Sequence, residues 1–221
     1  MKKTNTIQAI MKETEKFFDK EFENGKGLRG TPLKNYSAES LEKTSEFVLK
    51  MIISSLSEKY PNVLIEHSKD YIRPDENYLS KERMDQHIKV NGKYVLLQED
   101  RAWMDKPFYL LKRGVTSCIM KTCSKQLYDN VKFIYIGYCL DFRKEIINTC
   151  DLALGHGDKV LTYSITNRPR GKKIDGKSVN WYETGYDKSV IKEYIETAYN
   201  IIEDAIRNEK RDNSLPGRLF S

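Results

Sequence analysis

The stretch RMDQHIKVNGKYVLLQEDRAW, residues 83–103, decides the fold, because it has the pattern of a β-hairpin. Its first apolar run meets Asn91-Gly92, a dipeptide typical of tight hairpin turns, and a second apolar run, YVLL, carries the chain back. Charged residues gather at the end away from the turn, with Asp85 on the first strand and QEDR, residues 98–101, on the second. The sequence therefore predicts a hairpin that collects carboxylates at one end.

Alternation of side chains along a strand predicts which of these residues share a face. One face should carry Val95, Leu97, Glu99 and Arg101, and the other Gln98 and Asp100. The place of Asp85 depends on the turn. A two-residue loop would pair it with Gln98, whereas a three-residue loop with Gly92 in a bulge would pair it with Leu97 and align it with Glu99. A bulge or bend near Asp85 would also move this residue to the face of Glu99. The sequence leaves these alternatives open.

Helical and strand patterns alternate along the rest of the chain. Helices are predicted over residues 4–23, from an N-cap at Ser37 to Pro61, from Pro107 through FYLLKRGVTSCIMKTCSKQL, and over residues 187–210. Strands are predicted at NVLIEH, at VKFIYIGYCL, which has the apolar run of a strand buried on both faces, and at KVLTYSIT. This order predicts an α/β fold in which a mixed β-sheet is flanked by helices.

Composition limits the classes of protein to consider. The 221 residues show no compositional break, which favours a single domain over 1–221, and the net charge of +6 suits an anionic partner. The N-terminus lacks an apolar leader, and no window approaches the roughly 18 apolar residues of a membrane span, so we expect a soluble, cytoplasmic protein. The four cysteines form no CxxC pair, and neither a zinc site nor a disulfide framework is indicated.

The charged end of the hairpin has the residue types of a metal-dependent phosphodiesterase. Two carboxylates, Asp85 and Glu99, can hold Mg²⁺, a hard ion that accepts phosphate oxygens and water as further ligands. A cation two residues later, Arg101, can stabilise the negative charge of the transition state. Asp75, in the literal Pro-Asp pair of YIRPDENY, is the competing first acid, but no alternating strand pattern surrounds it.

These residues resemble a known family. The hairpin with MD at 84–85 and QEDR at 98–101, together with the predicted order of elements over about 37–140, is similar to the catalytic core of PD-(D/E)XK nucleases, and the chain as a whole to type II restriction endonucleases. The resemblance implies that Asp85 and Glu99 bind the metal and that Arg101 takes the position usually held by lysine. It also implies an acid on the preceding helix, for which Glu46 is the first candidate and Glu42 the second. Met84 replaces the family's proline.

A basic, glycine-bearing segment, residues 166–186, is the second feature that points to nucleic acid. Its candidate DNA-contacting residues are Arg168, Arg170, Lys172, Lys173, Lys177 and Asn180. The alternative for this segment is a solvated surface hairpin that turns at Asp175-Gly176. His87, two residues after Asp85, is a candidate DNA contact or neighbour of the metal ligands, and is more simply a structural residue of the strand.

Together these features predict a homodimeric, Mg²⁺-dependent endonuclease that cuts double-stranded DNA within a short, palindromic sequence. A dimer is expected because a duplex has two strands to cut and a twofold axis matches a palindrome. Two alternatives remain at this point. One is a repair-type nuclease with the same core, and the other is a nucleic-acid-binding protein without catalysis, which arginine in place of lysine would favour.

Overall fold

Three long helices frame the part of the chain that the structure, a computed structural model, describes: residues 3–27, 33–69, 71–72, 82–83, 85–104, 131–140, 159–165, 173–174, 177–178 and 186–214. The helices are α1 (Lys3–Gly27), α2 (Leu33–Lys59) and α3 (Lys188–Ser214). The α3 helix begins with Asp187 as its N-cap, because the Asp187 carboxylate accepts the N–H of Ser189 at 2.9 Å. None of these helices is long and apolar enough to cross a membrane.

A five-stranded mixed sheet lies among the helices, with the strand order β1-β4-β5-β6-β7. Its strands are β1 (Ile65–Ser68), β4 (Gln86–Val90), β5 (Lys93–Met104), β6 (Lys132–Leu140) and β7 (Val160–Ser164). The first three strands are antiparallel, whereas β5, β6 and β7 run parallel to one another. Two short antiparallel pairs complete the set: β2 (Tyr71–Ile72) with β3 (Glu82–Arg83), and β8 (Lys173–Ile174) with β9 (Lys177–Ser178). The predicted α/β class, with a mixed sheet and flanking helices, is confirmed.

One hydrophobic core joins the helices to one face of the sheet. It takes buried side chains from all three helices and from β4, β5, β6 and β7, among them Ile10, Leu49, Ile52, Ile88, Leu96, Ile134, Ile195 and Ile202. The opposite face is also buried at Leu97, Phe133 and Tyr135. Since Phe133 to Ile136 are all buried, the prediction that this strand is buried on both faces is confirmed.

A buried carboxylate ties the three helices together at one end. Glu203 on α3 is 1% exposed and accepts hydrogen bonds from Lys59 of α2 at 2.6 Å and from the Tyr60 hydroxyl at 3.2 Å. Lys3 of α1 lies 3.6 Å from the same carboxylate, and Arg207 of α3 lies 3.2 Å from it. Burial alone would raise the pKa of Glu203, but the charges and hydrogen bonds of its cationic neighbours outweigh it, so the pKa lies below its usual value.

The hairpin turn contains the two predicted residues and is followed by a bulge. Asn91 and Gly92 have φ angles of 48° and 79°, the positive values that a type I′ turn requires. Val90 therefore pairs with Lys93, but the register shifts by one residue between Ile88 and Lys89. Val95 is the extra residue of this bulge, and it joins the core cluster beside Leu96. The expectation that Val95 shares the face of Leu97 was therefore wrong, since a bulge interrupts the alternation that it assumed.

Other predicted elements differ from the structure mainly at their ends. The α2 helix begins at Leu33, so Ser37 lies within its first turns and is not the N-cap. The strand predicted at NVLIEH begins only at Ile65, and the last helix continues to Ser214. The helix predicted from Pro107 and the competing acid Asp75 lie outside the described residues.

The residues on either side of the basic segment are hydrogen-bonded to each other. At the end of β7, the Ile165 N–H donates to the Gly137 carbonyl at 2.7 Å. The Ile165 carbonyl in turn accepts the N–H of Asp187, the N-cap of α3, at 2.7 Å. The ends of residues 166–186 are therefore fastened together by the sheet and the helix that flank them.

Candidate functional site

The register of the hairpin brings Asp85 and Glu99 together. The last pair of β4 and β5 is Gln86 with Gln98, so the register, continued by one residue, places Asp85 opposite Glu99. Neither of the two turn-based pairings, with Gln98 or with Leu97, is found. The turn has two residues, as one alternative required, but the bulge at Val95 moves β5 by one position and thereby aligns the two acids.

Asp85 is fixed by a main-chain donor. Its carboxylate is half-buried, and Oδ2 accepts the N–H of Asp100 at 2.8 Å. Asp85 lies just before the first residue of β4, where the strand pairing ends. Its bond to the Asp100 N–H therefore extends the contact between the two sides of the hairpin by one residue. A side chain held in this way has few orientations, which suits a metal ligand.

Glu99 lies on the face of the sheet that points away from the core helices. It is 4% exposed, and Leu97 and Tyr135 are its neighbours on this face, since Glu99 pairs with Tyr135 across β5 and β6. Its Oε2 atom is buried and has no hydrogen-bond donor within the described ranges, although the carboxylate as a whole does make another interaction. His87 shares this face two residues after Asp85, and its ring meets that of Tyr94 edge-on at 5.4 Å.

The other face of the same strands carries a buried polar network, formed by Ser45, Gln86, Gln98, Asp100 and Tyr194. Asp100 is its centre: Oδ2 accepts hydrogen bonds from the Ser45 hydroxyl at 2.7 Å and from the Gln86 amide at 3.2 Å. Oδ1 accepts the Gln98 amide at 2.8 Å. The Gln98 oxygen in turn accepts the Tyr194 hydroxyl of α3 at 3.0 Å. The network thus connects α2, the hairpin and α3.

Burial raises the pKa of Asp100 to about 7, and the nearby charge of Asp85 adds to this effect. The hydrogen bonds from Ser45, Gln98 and Gln86 act in the opposite direction and lower the pKa. Asp85 accepts the main-chain N–H of this fully buried residue and Glu99 precedes it in the chain, so three acids lie close together along the hairpin. Such a concentration of acids favours a neutralising cation at the side that meets solvent.

Glu46 and Glu42, the two candidate acids on α2, are held by lysines. Lys69, just after β1, lies 2.5 Å from the Glu46 carboxylate and 3.1 Å from that of Glu42. Lys50 bonds Glu46 at 2.7 Å from the next turn of the helix. Hydrogen bonds from Lys50 and Lys69 hold the pKa of Glu46 down at about 2, so this carboxylate stays charged near neutral pH. The Glu42 carbonyl accepts the Gln86 amide at 3.3 Å, which connects this turn of α2 to the residue that follows Asp85.

The predicted cationic residues are described only in part. Arg101 follows Glu99 by two positions on β5 and pairs through its backbone with Gly137, whereas its side chain lies outside the described part of the chain. Lys173 and Lys177 belong to the β8–β9 pair, whose register agrees with the hairpin expected to turn at Asp175-Gly176. Arg168, Arg170, Lys172 and Asn180 lie outside the described residues.

Asp85 and Glu99 are the candidate ligands for a metal ion in the part of the chain that the structure describes. Among the described residues, no three His, Cys, Asp or Glu side chains are grouped to hold a metal. Asp85 and Glu99 provide two adjacent carboxylates, which are the hard oxygen ligands that Mg²⁺ prefers. Since Mg²⁺ usually takes one or two carboxylates and fills its shell with water and phosphate oxygens, this pair suits an ion bound together with a phosphate.

Sequence reasoning found the two acids but missed the network behind them. Gln98 and Asp100 were placed on one strand face, but no role was given to them. Ser45, Gln86 and Tyr194 were not identified as their hydrogen-bond partners. A signal for them was present, because polar residues at alternate positions of an otherwise apolar strand must find hydrogen-bond partners once that face is buried.

Comparisons with protein-family models, with curated proteins and with solved structures found no match. The arrangement of Asp85 and Glu99 is therefore the basis on which a function can be assigned.

Proposed function

We propose that the protein is a Mg²⁺-dependent endonuclease of the type II restriction class, which hydrolyses phosphodiester bonds in double-stranded DNA. The observation that carries this proposal is the alignment of Asp85 with Glu99, produced by the bulge in β5. One carboxylate is fixed by a main-chain N–H and the other is held on a buried strand face. This is a rigid pair of oxygen ligands at the end of a hairpin.

The order of elements supports the same proposal. The resemblance to PD-(D/E)XK nucleases rests on a helix, a hairpin and a central strand, and α2, the antiparallel strands β4 and β5, and the parallel strand β6 follow in that order. Glu99 lies on β5 and Asp85 immediately before β4, which supports the positions that the resemblance implies for the two acids. Within the α/β class, we therefore propose that the fold has a restriction-endonuclease-like core.

In the proposed mechanism each residue has a defined task. Asp85 and Glu99 would hold Mg²⁺, and an ion bound there would supply positive charge for a phosphate oxygen. The Asp100 N–H keeps the Asp85 carboxylate in place. Arg101 stabilises the extra negative charge of the transition state, but cannot act as a base near neutral pH because its guanidinium stays protonated. Activation of the attacking water would therefore need a group other than Arg101, and a bound metal ion or a substrate phosphate would supply it.

The partner in this proposal is duplex DNA. The net charge of +6 and the lysines of the β8–β9 pair, Lys173 and Lys177, favour a polyanion. Since one site cuts one strand, two copies of the chain related by a twofold axis would cut both strands of a palindrome. Such an enzyme would meet its DNA in the cytoplasm.

The first test is incubation of the purified protein with a fully sequenced phage DNA, with and without Mg²⁺. We expect discrete fragments only with Mg²⁺. The Glu99→Gln variant should yield none, because it removes one of the two charged metal ligands while keeping the size of the side chain. Glu66→Gln is the matched control, since Glu66 is an exposed glutamate on β1, and this variant should cut like the wild type.

Arginine at position 101 favours a second candidate, a nucleic-acid-binding protein without catalysis. Intact DNA in every lane, with a DNA mobility shift that does not respond to Mg²⁺, would replace the nuclease proposal with this one. Mg²⁺-dependent cleavage without fixed fragment ends would indicate a repair-type nuclease instead.

A further inference from the structure

The buried polar network holds the backbone on both sides of the proposed metal ligands. Gln86 directly follows Asp85, while Gln98 and Asp100 flank Glu99. Because side chains alternate along a strand, Glu99 points to one face of β5 and Gln98 and Asp100 to the other, and Gln86, which pairs with Gln98, shares their face. Each proposed ligand is therefore next in the chain to a residue whose side chain is hydrogen-bonded on the helix-facing side of the sheet.

The anchors lie on elements that do not belong to the hairpin. The Ser45 hydroxyl reaches from α2 to Asp100 at 2.7 Å, and the Tyr194 hydroxyl reaches from α3 to Gln98 at 3.0 Å. Gln86 adds a bond to the Glu42 carbonyl, and its oxygen lies 2.7 Å from Nε2 of His67 on β1. Ser45, Gln86, Gln98 and Asp100 are all at most 5% exposed, so these bonds are made in a region of low dielectric, where they are strong and costly to break.

Asp100 is the residue at which the two faces are connected. Its carboxylate accepts three donors on the helix side, and its main-chain N–H donates to Asp85 on the other side of the same residue. A rotation or shift of residue 100 would therefore turn the N–H away from Asp85. Burial of the Asp100 carboxylate costs free energy, and its three hydrogen-bond donors offset part of that cost.

We infer that Asp100 is a positioning residue of the proposed metal site: Ser45, Gln86 and Gln98 hold its carboxylate, and its main-chain N–H thereby orients Asp85 beside Glu99. This inference rests on the proposed function for its metal, but the positioning of Asp85 can be measured separately. Partners of metal ligands of this kind typically affect metal affinity by 10- to 100-fold.

The test compares two variants that each remove one buried hydroxyl from the network. Ser45→Ala removes a bond made directly to the Asp100 carboxylate, whereas Tyr194→Phe removes a bond made to Gln98, one step farther away. Both should lower the melting temperature by similar amounts. Only Ser45→Ala should raise the Mg²⁺ concentration for half-maximal cleavage, by roughly tenfold, and it should weaken Mn²⁺ binding to the protein alone to the same extent. Asp100→Asn, which keeps the shape of the side chain, should act in the same direction.

A second readout does not depend on metal. The Asp100 amide proton, followed by NMR hydrogen exchange, should exchange faster in Ser45→Ala and in Asp85→Ala than in the wild type, and Tyr194→Phe should leave it close to the wild-type rate. Metal titrations that shift equally in Ser45→Ala and Tyr194→Phe, or an exchange rate unchanged in Ser45→Ala, would overturn the inference. A wild type that neither binds Mn²⁺ nor cuts DNA would overturn the proposed function, and the exchange rates would still decide whether Asp100 positions Asp85.

Discussion

At the scale of the residue, Glu203 contributes to stability because it is buried among cations from three helices. Its partners Lys59 and Arg207 are 41% and 54% exposed in their side chains, so solvent screens part of the attraction. The carboxylate itself is 1% exposed, and its protonation would leave the neighbouring cations without their counter-charge. The lowered pKa of Glu203 means that folding favours its ionised form.

The Glu203→Gln variant should therefore be less stable than the wild type by about 1–3 kcal/mol near neutral pH. The difference should be fully present above the usual glutamate pKa of about 4.5, and should disappear as the pH falls through the lower pKa of the folded protein. Melting temperatures of both proteins between pH 3 and pH 7 measure this. Glu196→Gln, which breaks a solvent-exposed pair with Lys192 on the same helix, should change stability by less than about 0.5 kcal/mol at every pH. Parallel pH curves for the wild type and Glu203→Gln would contradict the assignment.

The two acids of the proposed site were singled out from the sequence, whereas the residues of the buried network beside them were not. Asp85 and Glu99 stand out because charges at the end of an apolar hairpin are unusual. Asp100 looks like one more member of the same charged run, and only the packing of α2 against β5 shows that its side chain faces Ser45. Such partners are far apart in sequence, and no local pattern connects them.

At the scale of the element, the hairpin depends on backbone conformations that few residues adopt. Gly92 has a φ of 79°, and a Cβ built at this position would meet no atom within 4 Å. The cost of a side chain at this residue is therefore conformational and not steric. Asn91, with a φ of 48°, also donates its N–H to the Leu64 carbonyl at 2.8 Å, which ties the turn to the segment before β1.

Gly92→Ala should destabilise the protein by about 1 kcal/mol in urea denaturation, because alanine disfavours the left-handed region. Gly92→Asn should lose less, because asparagine tolerates that region better than alanine. Since the turn lies at the far end of the hairpin from Asp85, DNA cleavage at 25 °C should be unchanged in both variants. A loss of cleavage in folded Gly92→Asn would show that the turn and the site are coupled.

The turn was predictable from Asn91-Gly92, but the register of the hairpin was not. Nothing in YVLL marks Val95 as the bulged residue, because valine, leucine and tyrosine all suit a regular strand. The bulge places both Val95 and Leu96 in the core, and this burial compensates for the interrupted ladder. The packing of Val95 and Leu96 in the core thus determined the register, and with it the position of Asp85 opposite Glu99.

At the scale of the whole molecule, the proposed dimer makes a prediction about mixed proteins. If each subunit cuts one strand, a wild-type subunit paired with a Glu99→Gln subunit should cut only one. Co-expression of the two chains should therefore convert supercoiled plasmid into nicked circles, where the wild type alone gives linear DNA. Agarose gels follow the products, and sedimentation of each sample measures the assembly. Linear DNA without nicked intermediates from the mixed sample would contradict the paired-site arrangement.

The bond between the Ile165 carbonyl and the Asp187 N–H also bears on how such a protein could diversify. This bond holds the two ends of the intervening chain together, so the ends would stay where they are if that chain were exchanged or lengthened. Doubling the length of a flexible loop costs only about 0.6 kcal/mol in closure entropy. A change of length in the segment that we propose to read DNA would therefore cost the fold little. A lineage could therefore acquire a new target sequence there while the core, and the chemistry that it supports, is inherited intact.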